Sequence, residues 1–271
     1  MKKVLLLSLL SLFSSTAFAG ELSPFDAVIE CAPSTNKSSS VGHSTTSYMV
    51  SRIAGRNISD TMALTYFSQY PDAYKKYDAI VNAVKNKFPF ASNEFTNDVV
   101  TKLHSLHGGN SEDIKTRRKS IENAIKNNLK DPEDIWKAGL LIHAYADAYA
   151  HTDGELNSKQ ERAYAPKFGH LLHSLIGQDP DQVINPRNRE KYLAYSEKLF
   201  NILKTKNANT KRYDDFKKLV RNSKCEKDRC LKDELITKQE NMIIEDYSAC
   251  MNEKMKPLTK EQVQSVMNQI K

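Results

Sequence analysis

The run His143-Ala-Tyr-Ala-Asp147-Ala-Tyr-Ala-His151 holds the densest set of groups able to do chemistry. On a helix, positions i, i+4 and i+8 advance by only about 40° per step, so both imidazoles and the carboxylate share one face. Only Ala and Tyr separate them, and Leu140, Leu141 and Ile142 immediately precede them, so this helix is expected to be largely buried. A carboxylate in apolar surroundings is expensive to desolvate unless something neutralises it. A divalent metal does so, and neutral imidazole with carboxylate is a donor set that zinc accepts, as do iron and manganese. The same residues also allow a hydrogen-bonded network without metal.

The remaining histidines favour the metal. There are seven, grouped as His43, His104/His107, His143/His151 and His170/His173, all at expected helix ends or on apolar faces. None falls in the charged stretch after residue 173. Asp72 follows Phe67-Ser68-Gln69-Tyr70-Pro71 and is expected to open a helix, either as a plain N-cap or as a ligand. His104 stands just before Gly108-Gly109. Either it or His107 can instead interact with a helix C-terminus.

These groups need a helical scaffold. Apolar positions recur at three- and four-residue spacing from His43 onward. Helices are predicted at 43–54, 59–70, 72–87, 92–107, 111–128, 132–152, 158–175, 188–206, 211–222, 227–254 and 259–270. Ser59 reads as an N-cap. Asp131-Pro132-Glu133-Asp134 opens the 132–152 helix with a cap, a first-turn proline and acids at the positive end of the dipole, and Gly154 is expected to close it. No period-two run predicts a strand. The expectation is an all-α, multi-helix single domain over 20–204, which carries the metal site, followed by a charged helical extension over 205–271.

The N-terminus is processed as a leader on this reading. Met1-Lys2-Lys3, the apolar stretch Val4 to Phe13 and Ala17-Phe18-Ala19 form a signal peptide over 1–19, too short to span a bilayer. Export permits disulfides, and the four cysteines form an even set. Cys225–Cys230 and Cys31–Cys250 are the favoured pairs. The formal charge of +7, two of it from Lys2 and Lys3, is compatible with phosphate-bearing partners without requiring them.

The order His43, Asp72, His104, His143-x3-Asp147, His151 and His170 resembles that of the ligands in zinc-dependent phospholipase C and the single-strand nucleases related to it. The match is closest in His143-x3-Asp147. An uncharacterised bacterial branch is also similar through His43-Ser-Thr-Thr, Ala54-Gly55, Ser68-Gln69-Tyr70-Pro71-Asp72, Gly169-His170 and Pro180-Asp181. The resemblance spans roughly residues 43–185. It implies the all-helical fold of that superfamily and two or three zinc ions. One would be held by Asp72, His104, His143 and a bridging Asp147, a second by His151 and His170, and a third by His43 with Asp147. Two positions depart from the pattern. No Trp stands at the expected mature N-terminus, and Ser174 occupies the place of an acid, with His173, Asp179 and Asp181 as candidate substitutes. A mono- or dinuclear site is therefore the safer expectation.

The resemblance further implies phosphoric ester hydrolysis, in which a zinc-bound water attacks phosphorus and Asp72 and Asp147 act in the catalytic centre. The partner would be a phosphodiester, either a phospholipid headgroup or single-stranded nucleic acid. No basic stripe interleaved with stacking aromatics favours nucleic acid. Two other classes stay open: a secreted metal-binding or interaction protein with a structural or degenerate site, and a disulfide-stapled helical module without metal.

Overall fold

A computed structural model describes residues 21–31, 42–86, 93–166, 180 and 182–271. The expected leader, His170, His173, Ser174, Asp179 and Asp181 lie outside them. The described residues form an all-α single domain whose central element is the helix that carries the chemistry.

Twelve α-helices are described, here α1 (Pro24–Glu30), α2 (His43–Ile53), α3 (Ile58–Ala73), α4 (Ala79–Lys85), α5 (Glu94–Asp98), α6 (Ser111–Asn128), α7 (Ile135–Ala150), α8 (Pro186–Leu203), α9 (Thr210–Asn222), α10 (Asp228–Leu235), α11 (Lys238–Lys254) and α12 (Lys260–Met267). A π-helical turn, Val99–Leu103, extends α5, and a 3-10 turn, Pro132–Asp134, leads into α7. None of the described helices is long and apolar enough to cross a membrane.

Helix α7 is buried on nearly every side, from Ile135 through Tyr149. It packs chiefly against α3 and α6, and also against α8. A helix apolar all round has to lie inside the protein. The closest approach is at Gly139: a methyl group there would lie 2.4 Å from Phe67 Cβ and 3.3 Å from Phe67 Cα of α3. Only hydrogen fits between the two helices at that crossing.

Several expected boundaries move. Asn57, rather than Ser59, caps α3, its side chain accepting from Asp60 N at 2.8 Å. Helix α3 then runs through Pro71 to Ala73, so Asp72 sits in its last turn and does not cap the next helix. Proline removes one backbone donor but does not end the helix. Tyr70 and Pro71 are buried, and Tyr74 N closes the turn on Tyr70 O at 3.2 Å. The following helix is correspondingly short. Asp131 does cap its 3-10 turn, accepting from Glu133 N at 3.0 Å. Helix α7, however, ends at Ala150, before Gly154.

Gly154 turns a two-stranded antiparallel hairpin instead, with Thr152 opposite Ala163 and Asp153 opposite Arg162. Part of the predicted 158–175 helix is therefore strand and turn over 158–166; the remainder falls outside the described residues. The predicted 227–254 helix is two, because Thr237 and Glu240 form a capping box that starts α11 afresh.

The charged C-terminal stretch docks on the rest of the domain. Residues 205–209 clasp the end of α2: Thr205 N donates to Ala54 O, Thr205 Oγ1 to Gly55 O and Asn209 N to Ile53 O, at 2.9–3.0 Å. Gly55 has φ +77°, and a side chain there would meet the Asn207 backbone at 2.5 Å. Further along, Tyr213, Phe216, Tyr247 and Met251 join the same hydrophobic core as α3 and α7.

Both expected cysteine pairs are at disulfide distance. Cys31 and Cys250 have Cα atoms 5.6 Å apart, and Cys225 and Cys230 5.5 Å. The first joins residues 219 apart in sequence and fastens α1 to α11. Long closed loops restrict the unfolded chain most, so a Cys31→Ala/Cys250→Ala variant should lose about 2–5 kcal/mol in urea unfolding. An unchanged midpoint and slope would contradict that role.

Candidate metal centre

Five side chains from four segments converge at one end of α7. Helix α2 contributes His43 from its first turn and α3 contributes Asp72 from its last. The π-helical turn delivers His104, whose N–H bonds to Val99 O at 3.0 Å. Helix α7 contributes His143 and Asp147 one turn apart. The turn after His104 is anchored by Ser105, at φ +53°, whose hydroxyl donates to Ala144 O at 2.9 Å.

The outward-facing nitrogens set the tautomers. His104 Nε2 lies 2.8 Å from Tyr77 O, and His143 Nδ1 lies 2.9 Å from Ser68 O. A carbonyl only accepts, so both nitrogens carry hydrogen. The inward-facing His104 Nδ1 and His143 Nε2 then present lone pairs to each other at 3.1 Å. Asp147 Oδ2 stands 3.2 Å from the first and 3.3 Å from the second. Asp72 Oδ1 is 3.9 and 3.8 Å from the same two nitrogens.

His104 Nδ1, His143 Nε2 and Asp147 Oδ2 thus face a common point, with Asp72 Oδ1 further from the two nitrogens. A tetrahedral zinc with ligands at 2.0–2.1 Å separates neighbouring donor atoms by about 3.3 Å, close to the three shortest spacings here. Imidazoles whose second nitrogen donates to a backbone carbonyl are also the usual support of a metal ligand. Two overlapping groups could hold an ion: Asp72, His104 and His143, and His43, His143 and Asp147, each offering donor atoms within 4.8 Å of one another. Asp147 faces both sides, because Oδ1 lies 3.2 Å from His43 Nε2 while Oδ2 faces His104 and His143.

Charge is balanced tightly. Asp147 is 2% exposed. Burial opposes its ionisation, but the charges of His151, His143 and His43 and the hydrogen bond to His104 hold it well below the ordinary carboxylate range. Burial also disfavours the His104 cation, yet its hydrogen bond to Asp147, with the charges of Asp147 and Asp72, raises its pKa overall. His143 is lowered, first by burial and then by the charge of His43. Without metal, one proton on the His104–His143 pair therefore suffices to hold the network together.

A metal must displace that proton. Its affinity should fall as the pH drops through the His104 pKa, which lies above its ordinary 6.5, by about tenfold per pH unit once that proton is bound. Zinc titrations between about pH 8 and pH 6 check this; affinity flat across that range would contradict it.

Two further sequence candidates lie differently. His151 Nδ1 is 3.6 Å from Asp147 Oδ2 and donates to His104 O at 2.8 Å; it is in neither donor group among the described residues, and His170, its expected partner, lies outside them. His107 stays outside the cluster. Its Nδ1 accepts from Gly109 N at 3.1 Å, and burial, then the charge of Arg117, pulls its pKa down to about 4. Tyr145 and Tyr149 are buried, as expected, and their hydroxyls lie 3.5 Å apart.

The cluster opens onto a cavity of about 370 Å³ lined by residues that include His43, Asp72, His104, Asp147 and His151. Its lining also includes Lys191, Tyr192 and Tyr195 of α8. Sequence reasoning missed Lys191, which reads as one more solvated charge in Arg187-Asn-Arg-Glu-Lys191. Its place at i−4 and i−8 from buried Tyr195 and Leu199 was the available signal. Also missed were Gln69, whose amide donates to Asp72 Oδ2 at 3.1 Å, and the carbonyls of Ser68 and Tyr77, which have no side-chain signature.

Comparison of the chain with family models, with curated proteins and with solved structures returns no match.

Proposed function

We propose that the chain is an exported zinc-dependent phosphoric ester hydrolase of the phospholipase C type. The observation that carries this reading is the convergence of His104 Nδ1, His143 Nε2 and Asp147 Oδ2, with Asp72 Oδ1 close by, beside a cavity that His104, Asp147 and Asp72 line. A structural ion is normally closed in by four protein ligands, whereas a hydrolytic centre keeps one position for water; His104, His143 and Asp147 lie at ligand spacing here, while Asp72 Oδ1 stands back at 3.8–3.9 Å from the two imidazole nitrogens. Asp72, with its side chain 40% exposed, lies on the side from which substrate would enter.

In this reading Asp72, His104, His143 and Asp147 surround one zinc, Asp72 either as a ligand or as the base, and His43 with Asp147 Oδ1 contributes to another; the further pair expected from the sequence, His151 with His170, includes a residue outside those described. Zinc bound there supplies positive charge against the phosphoryl oxygens and acidifies a water for attack on phosphorus. The chain's own residues do the positioning. Tyr77 and Ser68 carbonyls orient the imidazoles, Gln69 steadies Asp72, and Asp72 is placed to accept a proton from an incoming water.

The test is turnover of a simple chromogenic phosphodiester by the zinc-loaded chain, with and without chelator. Chelator-sensitive hydrolysis supports the reading; a loaded chain with no turnover of any phosphodiester would leave a metal-binding protein in its place. Substrate class follows from salt. Nucleic-acid cleavage should weaken steeply as ionic strength rises, whereas hydrolysis of a zwitterionic lipid headgroup should change little.

A further inference from the structure

A second charged group lines the same cavity, and among the described residues it forms no ion pair. Lys191 is 3% exposed. Its Nζ donates to Thr152 Oγ1 at 2.9 Å and to the Thr152 carbonyl. The two carboxylates that act on it are committed elsewhere. Glu161 is bidentate with Arg118, at 2.7 and 3.2 Å, and Asp153 pairs with Arg187. Glu161 reaches Lys191 only through the Thr152 hydroxyl, 3.0 Å from its Oε1.

A buried ammonium costs several kcal/mol when no anion accompanies it, and this one lines a cavity. Burial, then the charge of Arg187, lowers its pKa to about 8, so it is cationic at neutral pH. Thr152 uses two of its three donors, which leaves one for a ligand. The same two bonds fix the ammonium at Thr152, the residue that follows His151.

We propose that Lys191 is the anion-holding group of this cavity, donating to a phosphoryl oxygen of a ligand whose phosphorus faces the histidine–aspartate cluster. The choice of phosphoryl over other anions rests on the hydrolase reading above. The requirement for an anion rests on Lys191 and its surroundings alone. A compact point charge on a fixed stem suits a phosphate oxygen, and the cavity volume suits a headgroup-sized ligand. Lys191 is thus a positioning residue: it would hold the non-reacting oxygen and set the angle at which phosphorus is presented.

The experiment is calorimetric titration of the full mature chain with inorganic phosphate and, separately, with glycerophosphocholine. Each is run on metal-free and zinc-loaded protein, for wild type, Lys191→Met and Lys191→Arg. Methionine keeps the volume and removes the charge. Arginine keeps the charge and serves as the rescue. Circular dichroism and zinc content confirm that each variant is folded and loaded as wild type.

The expected result is a loss of about tenfold or more in phosphate affinity for Lys191→Met, with at least partial recovery in Lys191→Arg. Binding of the diester as well assigns the site to a headgroup; binding of phosphate alone assigns it to a free phosphate or monoester. Should the chain take up no zinc, the hydrolase reading fails, but Lys191-dependent phosphate binding to the metal-free protein would still support this proposal. Should zinc bind normally while phosphate affinity is undetectable in wild type, or equal in wild type and Lys191→Met, the proposal is overturned and the metal reading survives.

Discussion

Replacing Asp147 by Asn is expected to abolish phosphodiester turnover and to lower zinc affinity at least about a hundredfold while leaving the helices intact. The amide has nearly the shape of the carboxylate but no charge, and it offers one acceptor oxygen where Asp147 uses two. Asp147 Oδ2 lies 3.2 and 3.3 Å from the His104 and His143 nitrogens, and Oδ1 lies 3.2 Å from His43. No other described acid is central to both donor groups, because Asp72 is at 3.7 Å or more from each of these histidines. Asp72→Asn should therefore be the milder variant, affecting turnover more than zinc content. Zinc titration and steady-state kinetics on both variants check the order. Equal turnover in Asp147→Asn and wild type would remove Asp147 from the chemistry altogether.

The second large effect is expected far from the metal atoms. Gly139→Ala should cost about 3 kcal/mol, near the upper end for an overpacked core site, and lower Tm by about 10 °C. The added methyl would sit 2.4 Å from Phe67 Cβ. That carbon is fixed to the α3 backbone, so rotating a side chain cannot relieve the clash. Helix α3 must instead move away from α7. The same helix carries Ser68, which orients His143, and Asp72, so the displacement should reach the site. Two measurements separate packing from site effects. Calorimetry should show the fall in Tm without metal, and zinc affinity should fall by a further factor beyond any loss of folded protein. A variant with wild-type Tm would show that the helices are not in contact at this crossing.

Much of this organisation was legible in the residues themselves. The His143-Asp147 spacing on an apolar helix identified the central element, since a stretch hydrophobic on all faces has nowhere to go but inside. The pairings Cys31–Cys250 and Cys225–Cys230 also followed from sequence. Other features were visible but misread. Thr237-Lys-Gln-Glu240 is a capping box that divides one predicted helix into two. Asn57 caps α3 from two positions before Ser59.

Some features had no local signal. Pro71 ordinarily marks a helix boundary, and only burial of Tyr70 and Pro71 against the core carries α3 past it. The π-helical turn at Val99–Leu103, which aims His104 inward, is a product of tertiary packing. Lys191 has the sequence signature of surface charge because its surroundings come from the hairpin at Thr152, where the residue pattern predicts helix.

The most direct test is metal content per chain, measured by mass spectrometry on the protein purified without chelator or affinity tag. At least one zinc per chain is expected, lost in Asp147→Asn. A wild-type chain that retains no metal and takes up none when zinc is added would contradict it, and would make His104, His143 and Asp147 a hydrogen-bonded network held by a single proton.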